Sequence, residues 1–331
     1  MSSPSTHPAA PVLSARSGAS VRHLPVNLFG AVMSLCGLAL AWRLAHRSLG
    51  APAWLAEAIS IFAVAVFVLV SFAYLSKLLR HADAVYAEFQ HPVAGNFFGT
   101  IVISLLLLSA VVEPHNAPLA RGIWLAGVLS TFALSWLAMS RLLKGQVDAA
   151  HAVPAMLIPG VATLDIPVTG THMPMAWAAE LNLMAGAVGA VLALVLLVMI
   201  VSRLVHRDPL ALGITPSLMI LVAPFAVGFL AYSNITGGVD RFAGVLFYFG
   251  LFMFAVLAPK VFRPSVAFTP AWWAVGFPMA ALANAALRYA EFRASQPLWL
   301  LATLLLGLLS GVLAVLTLRT LQLVLGGKLF R

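Results

Sequence analysis

Ten apolar runs, each close to 20 residues long, follow one another along this chain of 331 residues. A helix that rises 1.5 Å per residue needs about 20 residues to cross roughly 30 Å of hydrocarbon, so runs of this length predict membrane-spanning helices. A transmembrane β-barrel would show shorter segments of alternating polarity instead, and the sequence lacks that pattern. The composition agrees, because 62% of the residues are hydrophobic and only 9% are charged. The sequence therefore predicts an all-α integral membrane protein.

The ten spans are placed by apolar length and by the charges that flank them. They cover residues 24–44, 52–76, 96–112, 120–140, 153–171, 177–202, 213–233, 241–259, 270–290 and 297–319. The fifth contains three prolines and an aspartate, so a partly re-entrant or broken course stays open for it. Residues 1–22 are predicted to form a disordered cytoplasmic tail, residues 23–322 the ten-helix domain, and residues 323–331 a short basic cytoplasmic tail.

Basic residues orient these spans. If the N-terminus is cytoplasmic, most of the 19 Lys and Arg residues fall in the inner segments, with a pair in every inner loop. Short loops rich in Lys and Arg stay in the cytoplasm, so both termini are predicted to lie inside, as an even number of spans requires. The net charge of +9 does not indicate a nucleic-acid partner, because the charges are spread between apolar runs and form no stripe.

Prolines divide the spans into two kinds. The fifth, seventh and ninth spans contain interior prolines (Pro159 and Pro167, Pro224, and Pro278), whereas the even-numbered spans contain none. An interior proline removes a backbone hydrogen bond and bends the helix, and in lipid the freed polar group must face protein or water. We therefore predict that the odd-numbered helices surround a polar cavity and that the even-numbered helices face lipid or neighbouring subunits. Prolines are also common in membrane helices, so the plainer interpretation stays open for any single one.

Ionisable residues argue against chemistry within the membrane. All nine histidines fall in predicted loops or termini, and a single cysteine, Cys36, excludes a cysteine metal cluster. The sequence also lacks an HExxH motif and a Walker-type phosphate loop. We therefore predict no catalytic site, no metal centre and no cofactor, so the chain is not expected to be an enzyme. Asp165 is a candidate coupling group, with a hydrated carboxylate at the pore mouth, or one capping the next helix, as the plainer interpretation.

The predicted cavity suits ion passage better than tight binding of one ligand, because it combines small and hydroxyl residues with almost no fixed charge. The sequence shows no acidic rings, and a net charge of +9 raises the local anion concentration at the mouths of a pore. Both features favour an anion.

Four stretches resemble the bacterial tellurite-resistance TehA proteins and the plant slow anion channels, with fungal malate and sulfite transporters as more distant relatives. The stretches are LPVNLFGAVMSLCGLALAWR from Leu24, HPVAGNFFGTIVIS from His91, APFAVGFLAY from Ala223 and TPAWWAVGFPMAALANAALRYAE from Thr269. The likeness covers residues 22–325 in the same order, and the stretch from Thr269 is its most specific part.

This resemblance implies ten helices, paired as five helical hairpins in a quasi-fivefold arrangement around a central pore. It also implies a homotrimer with one pore in each protomer, placed in the inner membrane of a bacterium. The phenylalanine directly before the ninth-helix proline blocks the pore in that family, and the matching residue is Phe277. The candidate pore-helix kinks are Pro159, Pro167, Pro224, Gly276 and Pro278. The candidate pore-lining residues are Asn27, Gly30, Phe98 and Thr163.

Two functions are consistent with these features. The first is a passive channel for small monovalent anions, in which the ring of Phe277 excludes water from the pore until it turns aside. The alternative is a proton-linked carrier of C4-dicarboxylates, sulfite or tellurite-related oxyanions, which needs a titratable group such as Asp165 or His91 in the pathway. Either function makes inorganic or small organic anions and the lipid bilayer the partners of the chain.

Overall fold

The computed structural model describes residues 20–145, 148–327 and 329. These residues contain eleven α-helices and no β-strand. Residues 1–19 of the predicted N-terminal tail, and residues 328, 330 and 331 of the predicted C-terminal tail, lie outside the described part of the chain. The last helix continues to Leu325, three residues into the predicted C-terminal tail.

The even-numbered spans form long, continuous α-helices. Two of them begin at residues that suit a helix N-terminus, since the side chains of Asn116 and Asp240 accept hydrogen bonds from the backbone N–H groups of Leu119 and Ala243. Basic residues lie in the last turn of most of them, where they complement the helix dipole. These helices are α2 (Ala53–Arg80), α5 (Ala117–Leu143), α7 (Ala178–His206), α9 (Arg241–Val261) and α11 (Gln296–Leu325).

Each odd-numbered span instead begins as a 3-10 helix and continues as an α-helix. The α-helical parts are α1 (Phe29–Leu49), α4 (Gly99–Val112), α6 (Leu157–Gly170), α8 (Ala223–Ile235) and α10 (Gly276–Arg293). The 3-10 segments before them are Val26–Leu28, Ala94–Phe98, Pro154–Met156, Leu212–Val222 and Pro270–Ala274. A further short helix, α3 (Ala82–Gln90), joins α2 to the third span and was not predicted.

The interior-proline interpretation is wrong for three of the four prolines. Pro159, Pro224 and Pro278 lie in the first turn of α6, α8 and α10, where the backbone N–H has no acceptor within the helix and its loss costs little. Each proline therefore marks the change from 3-10 helix to α-helix within the span. Only Pro167 lies deeper inside its α-helix.

Burial separates the two kinds of helix as predicted. In the most apolar 18 residues of each span, the buried share is 78% for the first span, 61% for the third and 72% for the seventh. In the five long helices it is only 17% to 39%. Nearly all of α6 is buried as well, and most of α10. The odd-numbered helices therefore form the interior of the protein, and the even-numbered helices surround them.

The five inner helices contact one another in a closed order, in which α1 touches α4, α4 touches α6, α6 touches α8, α8 touches α10, and α10 touches α1. The five 3-10 segments contact one another in the same order. Each inner helix also packs against the long helix that follows it in the chain. A space enclosed by this ring is therefore bounded by all five inner helices.

Eight helices in the described part of the chain are long and apolar enough to cross a membrane. They correspond to every predicted span except the fifth and the ninth. The α-helical part of the fifth has only 14 residues, and α10 carries Asn284, Arg288 and Glu291 among its apolar residues. The chain is therefore an all-helical, multi-pass membrane protein.

Candidate functional site

A small cavity of about 20 Å³ lies inside the ring of inner helices. This is room for about one water molecule. All five inner spans contribute to its wall, which is apolar except for Asn27 and Thr100. The Thr100 hydroxyl donates to the carbonyl oxygen of Phe97 at 2.6 Å, whereas Oδ1 of Asn27 is buried without a hydrogen-bond partner among the described residues. The side-chain amide of Asn27 is therefore the polar group available to a guest in this cavity.

A larger cavity of about 360 Å³ lies further along the same helices, toward their C-terminal ends. We call it the vestibule. All five inner helices line it, and the wall residues nearest the small cavity on each helix are Gly37, Leu107, Asp165, Val227 and Phe277.

The two cavities are stacked on the same face of each inner helix. Met33 lines the small cavity and Gly37, one turn later, lines the vestibule; Ile103 and Leu107 repeat this relation on α4. The further pairs are Val161 with Asp165 on α6 and Ala223 with Val227 on α8. One turn of α-helix rises about 5.4 Å, so a layer about one turn thick separates the two spaces.

Phe277 forms this separating layer. Among the described residues, it is the one side chain that lines both cavities, and its side chain is buried, with 5% of its surface exposed. Phe277 is the second residue of α10, directly after the change from 3-10 helix to α-helix. That change and the adjacent Pro278 fix the backbone from which the ring projects between the cavities.

The vestibule carries fixed charge, which corrects the prediction of a cavity almost free of it. Arg43, Arg47 and Arg288 line it together with the acidic residues Asp165, Glu113 and Glu291. Arg43 donates to the carbonyl oxygen of Ala110 at 3.0 Å and so joins α1 to the C-terminal end of α4. Basic and acidic groups therefore both face the space beyond Phe277.

Two asparagines hold the inner helices together around the vestibule. Nδ2 of Asn284 donates to the carbonyl oxygen of Gly37 at 3.0 Å, which joins α10 to α1. Nδ2 of Asn234 donates to the carbonyl oxygens of Pro167 and Val168, both at 3.0 Å, and its Oδ1 accepts from Arg288. The sequence analysis missed these residues, although an amide or guanidinium group within an apolar span is the signal that reveals them.

The structure separates the predicted pore-lining residues. Asn27 and Gly30 line the small cavity, and their role in a pore stays a prediction. Phe98 does not line either cavity; its ring packs edge-on against the rings of Tyr74 and Phe89, and its neighbour Phe97 lines the small cavity instead. Phe98 is therefore removed from the predicted lining.

Thr163 is the second correction. Its hydroxyl donates to the carbonyl oxygen of Gly160 at 2.6 Å, and it lies against α7, where a Cβ atom added at Gly189 would come within 2.6 Å of it. Thr163 lines neither cavity and packs α6 against α7. Gly276 also serves close packing, because a Cβ atom there would lie 2.7 Å from Cβ of Ser34 on α1.

Asp165 lies midway along α6 and faces the vestibule. It is only 1% exposed, and its Oδ2 atom has no hydrogen-bond partner among the described residues. The plainer interpretation from the sequence, a hydrated carboxylate at the pore mouth or a helix cap, is therefore wrong. Asp165 is a buried carboxyl group in the wall of the vestibule.

Comparison with known proteins fits this geometry. Residues 23–321 match the family described as SLAC1, voltage-dependent anion channel. The chain belongs to this family. The resemblance to TehA proteins and plant slow anion channels is thereby confirmed, and the SLAC1 family comprises anion channels and transporters.

Relatives of this SLAC1-family chain include plant and bacterial proteins. It is 27% identical over 278 residues to the S-type anion channel SLAH3 of Arabidopsis thaliana, which covers 80% of this chain and 43% of SLAH3. It is 29% identical over 282 residues to SLAH4 of the same plant, covering 81% of this chain and 75% of SLAH4. It is 25% identical over 304 residues to the tellurite resistance protein TehA homolog of Haemophilus influenzae, covering 89% and 90% of the two chains. The chain thus spans less than half of SLAH3 but most of the TehA homolog.

Proposed function

We propose that this chain is a passive channel for small monovalent anions, closed by the ring of Phe277. In this proposal the pathway runs through the ring of inner helices, from the small cavity through the layer of Phe277 into the vestibule. The observation that carries the proposal is that, of the residues the structure describes, Phe277 alone is shared by the walls of two cavities stacked one helical turn apart on the same helix faces. A single side chain of this kind is the simplest gate, because turning it aside joins the two spaces.

The preference for anions rests on the polar groups along this path. The small cavity has no acidic residue in its described wall, and Nδ2 of Asn27 is the side-chain group there that can donate to an anion, because the Thr100 hydroxyl already donates to Phe97. In the vestibule, the guanidinium groups of Arg43, Arg47 and Arg288 can donate to an anion, against Glu113, Asp165 and Glu291 in the same wall. One amide in an otherwise apolar cavity binds an ion weakly enough to let it leave, as conduction requires. The names of the relatives SLAH3 and SLAH4 as anion channels agree with this preference.

In the membrane, we propose ten spanning helices arranged as five hairpins in a quasi-fivefold ring, with a pore in each protomer of a homotrimer. The closed contact order of the inner helices and the packing of each one against its successor support the hairpin arrangement. The family resemblance supports the trimer and the bacterial inner membrane. The basic last turns of α2, α5, α7 and α9 support cytoplasmic termini, because Lys and Arg collect on that side. The vestibule would then open to the outside.

A proton-linked anion carrier is the second candidate function, and the position of Asp165 favours it. A buried carboxyl group with an unpartnered oxygen beside the pathway could take up and release a proton during transport. The carrier would move C4-dicarboxylates, sulfite or tellurite-related oxyanions. The two functions differ in one respect that can be measured, because a channel needs no proton gradient.

The test is a set of reversal potentials for chloride, nitrate, sulfite and malate, recorded in planar bilayers with the purified wild type and with Phe277→Ala. If the protein is a channel, the reversal potential is set by the gradient of the permeating anion itself, and Phe277→Ala carries larger currents than the wild type. Chloride and nitrate are expected to permeate better than malate. A reversal potential that follows the pH gradient contradicts the channel.

A second arm uses Asp165→Asn, which keeps the size of the side chain and removes its titration. The channel predicts that this variant still carries anion current. The carrier is supported instead if two results are obtained together: the wild type shows flux driven by a pH gradient, and Asp165→Asn folds normally but loses all anion flux.

A further inference from the structure

A groove of about 830 Å³ lies on the outside of the protein, away from the ring of inner helices. One wall is α11, and the other is formed by Phe262 and Phe268 in the segment after α9 and by Trp272 in the 3-10 helix Pro270–Ala274. Gly307 and Gly311 form part of the α11 wall, and a Cβ atom added at either would meet no atom within 4 Å. The groove is therefore an open, apolar channel along the membrane-facing surface of α11.

The groove has a basic end. Arg263 and Arg319 both line it; the first directly follows α9, and the second lies in the last turns of α11, so both lie where these two helices finish. Nε of Arg263 donates to the carbonyl oxygen of Lys260, and no ion pair of either arginine occurs among the described residues. The sequence contains no acidic residue from 241 to 290 or from 292 to 331. Two guanidinium groups thus face an apolar groove without a carboxylate from their own region of the chain.

We propose that this groove binds an anionic phospholipid from the leaflet at this end of the bundle. Arg263 and Arg319 would bind the phosphate, and an acyl chain would lie along the recess at Gly307 and Gly311. Guanidinium groups suit phosphate because they donate two parallel hydrogen bonds to its oxygens. Aromatic residues such as Trp272 are typical of the level at which headgroups meet acyl chains.

A helix from a second copy of the chain fits the groove less well. The outer helices α2, α5 and α7 carry basic residues in their last turns at the same end of the bundle, namely Arg80, Arg141 and Arg203. A second copy would therefore bring like charge toward Arg263 and Arg319, whereas an anionic headgroup brings the opposite charge.

The groove also adjoins the segment that precedes Phe277. Nε1 of Trp272 donates to the carbonyl oxygen of Ala267 at 3.0 Å, and Nε1 of the next residue, Trp273, donates to the hydroxyl of Thr320 on α11 at 2.9 Å. These two hydrogen bonds fix the wall of the groove, so the site is formed before a lipid enters it.

The experiment is native mass spectrometry of the full-length protein, titrated in detergent with phosphatidylglycerol or phosphatidylcholine. The proposal predicts selective retention of phosphatidylglycerol by the wild type. Arg263→Gln combined with Arg319→Gln should weaken that retention about 5-fold for each arginine removed, from the attraction of one basic residue to anionic lipid. The matched control is Arg80→Gln combined with Arg207→Gln, which removes the same charge from exposed residues away from the groove and should retain the lipid as the wild type does.

A second variant, Gly311→Leu, places a side chain in the recess from a position where a Cβ atom meets no described atom within 4 Å, and it should lower lipid retention while folding normally. Equal retention of both lipids by the wild type overturns the proposal. The proposal is also overturned if Arg263→Gln combined with Arg319→Gln loses no more lipid than the control, Arg80→Gln combined with Arg207→Gln. A Gly311→Leu variant that dissociates into smaller oligomers with unchanged lipid retention shows instead that a second copy occupies the groove.

Discussion

The contact between α1 and α10 sets the position of Phe277, and one added methyl group tests it. Gly276 immediately precedes Phe277, and a Cβ atom there would lie 2.7 Å from Cβ of Ser34 and 2.8 Å from a methyl carbon of Leu313. Oγ of Ser34 would be nearer still, and ordinary contact begins at 3.4 Å, so Gly276→Ala must move α10 and α1 apart by at least about 0.7 Å. Ser34 cannot easily turn aside, because its hydroxyl donates to the carbonyl oxygen of Gly30 at 2.6 Å.

The expected cost is that of overpacking a close-packed interior, about 1–3 kcal/mol. We predict that Gly276→Ala lowers the apparent melting temperature of the purified protein by about 5 °C, measured by thermal unfolding in detergent. Because the displaced helix carries Phe277, the variant should also pass more anion than the wild type in liposome flux assays.

The matched control is Gly122→Ala on α5, where a Cβ atom would meet nothing within 4 Å. Alanine favours a helix over glycine, so this variant should be at least as stable as the wild type. If Gly276→Ala melts at the wild-type temperature with wild-type flux, the proposed close contact between α1 and α10 is refuted.

Three further predictions concern other parts of the pathway and its support. In a Phe277→Ala background, Asn27→Leu should lower the anion current about 5- to 10-fold, which corresponds to the free energy of one lost hydrogen bond. An unchanged current would show that Asn27 is not part of the pathway. In the same background, Arg47→Gln should lower the anion current at low salt, because it removes a charge that attracts anions. In 1 M salt, which screens exposed charges, its current should equal that of Phe277→Ala alone. A lower current that persists in 1 M salt would contradict a purely electrostatic role. Lys77→Met should destabilise the fold by about 1–3 kcal/mol, because it removes the ion partner at 2.6 Å from partly buried Glu88, which keeps the hydrogen bonds from Val26 and Tyr74. Exposed Arg80→Gln should not destabilise it, and equal melting temperatures for the two variants would count against this prediction.

The sequence was sufficient to predict most of the helices. Apolar run length located every helix of the bundle except α3, because the hydrocarbon thickness fixes how many residues must be apolar. The short helix α3 escaped because it is amphipathic and lies outside the apolar runs. The separation into inner and outer helices was also predicted correctly, although partly for the wrong reason. The prolines of α6, α8 and α10 mark a change of helix type, and run length carries no information about the difference between 3-10 and α-helix.

The pathway was harder to predict than the helices. Phe97 faces the small cavity and Phe98 does not, because of the way the 3-10 segment before α4 is rotated. The sequence cannot reveal this rotation, since both residues are phenylalanines and adjacent. Thr163 was misplaced for the same reason, because every face of α6 is buried and burial alone does not distinguish the pathway from a neighbouring helix. Phe277 itself was predicted from the family resemblance, and its position between the two cavities gives that prediction a physical basis.

The central claim is that the ring of Phe277 closes a continuous anion pathway. The most direct measurement is the chloride current of Phe277→Ala in planar bilayers, compared with the wild type and with Phe98→Ala, which removes a ring of the same size away from both cavities. A dry aromatic layer imposes a barrier of several kcal/mol on an ion, and each 1.4 kcal/mol removed is about tenfold in rate. We predict at least a tenfold larger current for Phe277→Ala and a wild-type current for Phe98→Ala. Wild-type current in correctly folded Phe277→Ala protein would contradict the claim.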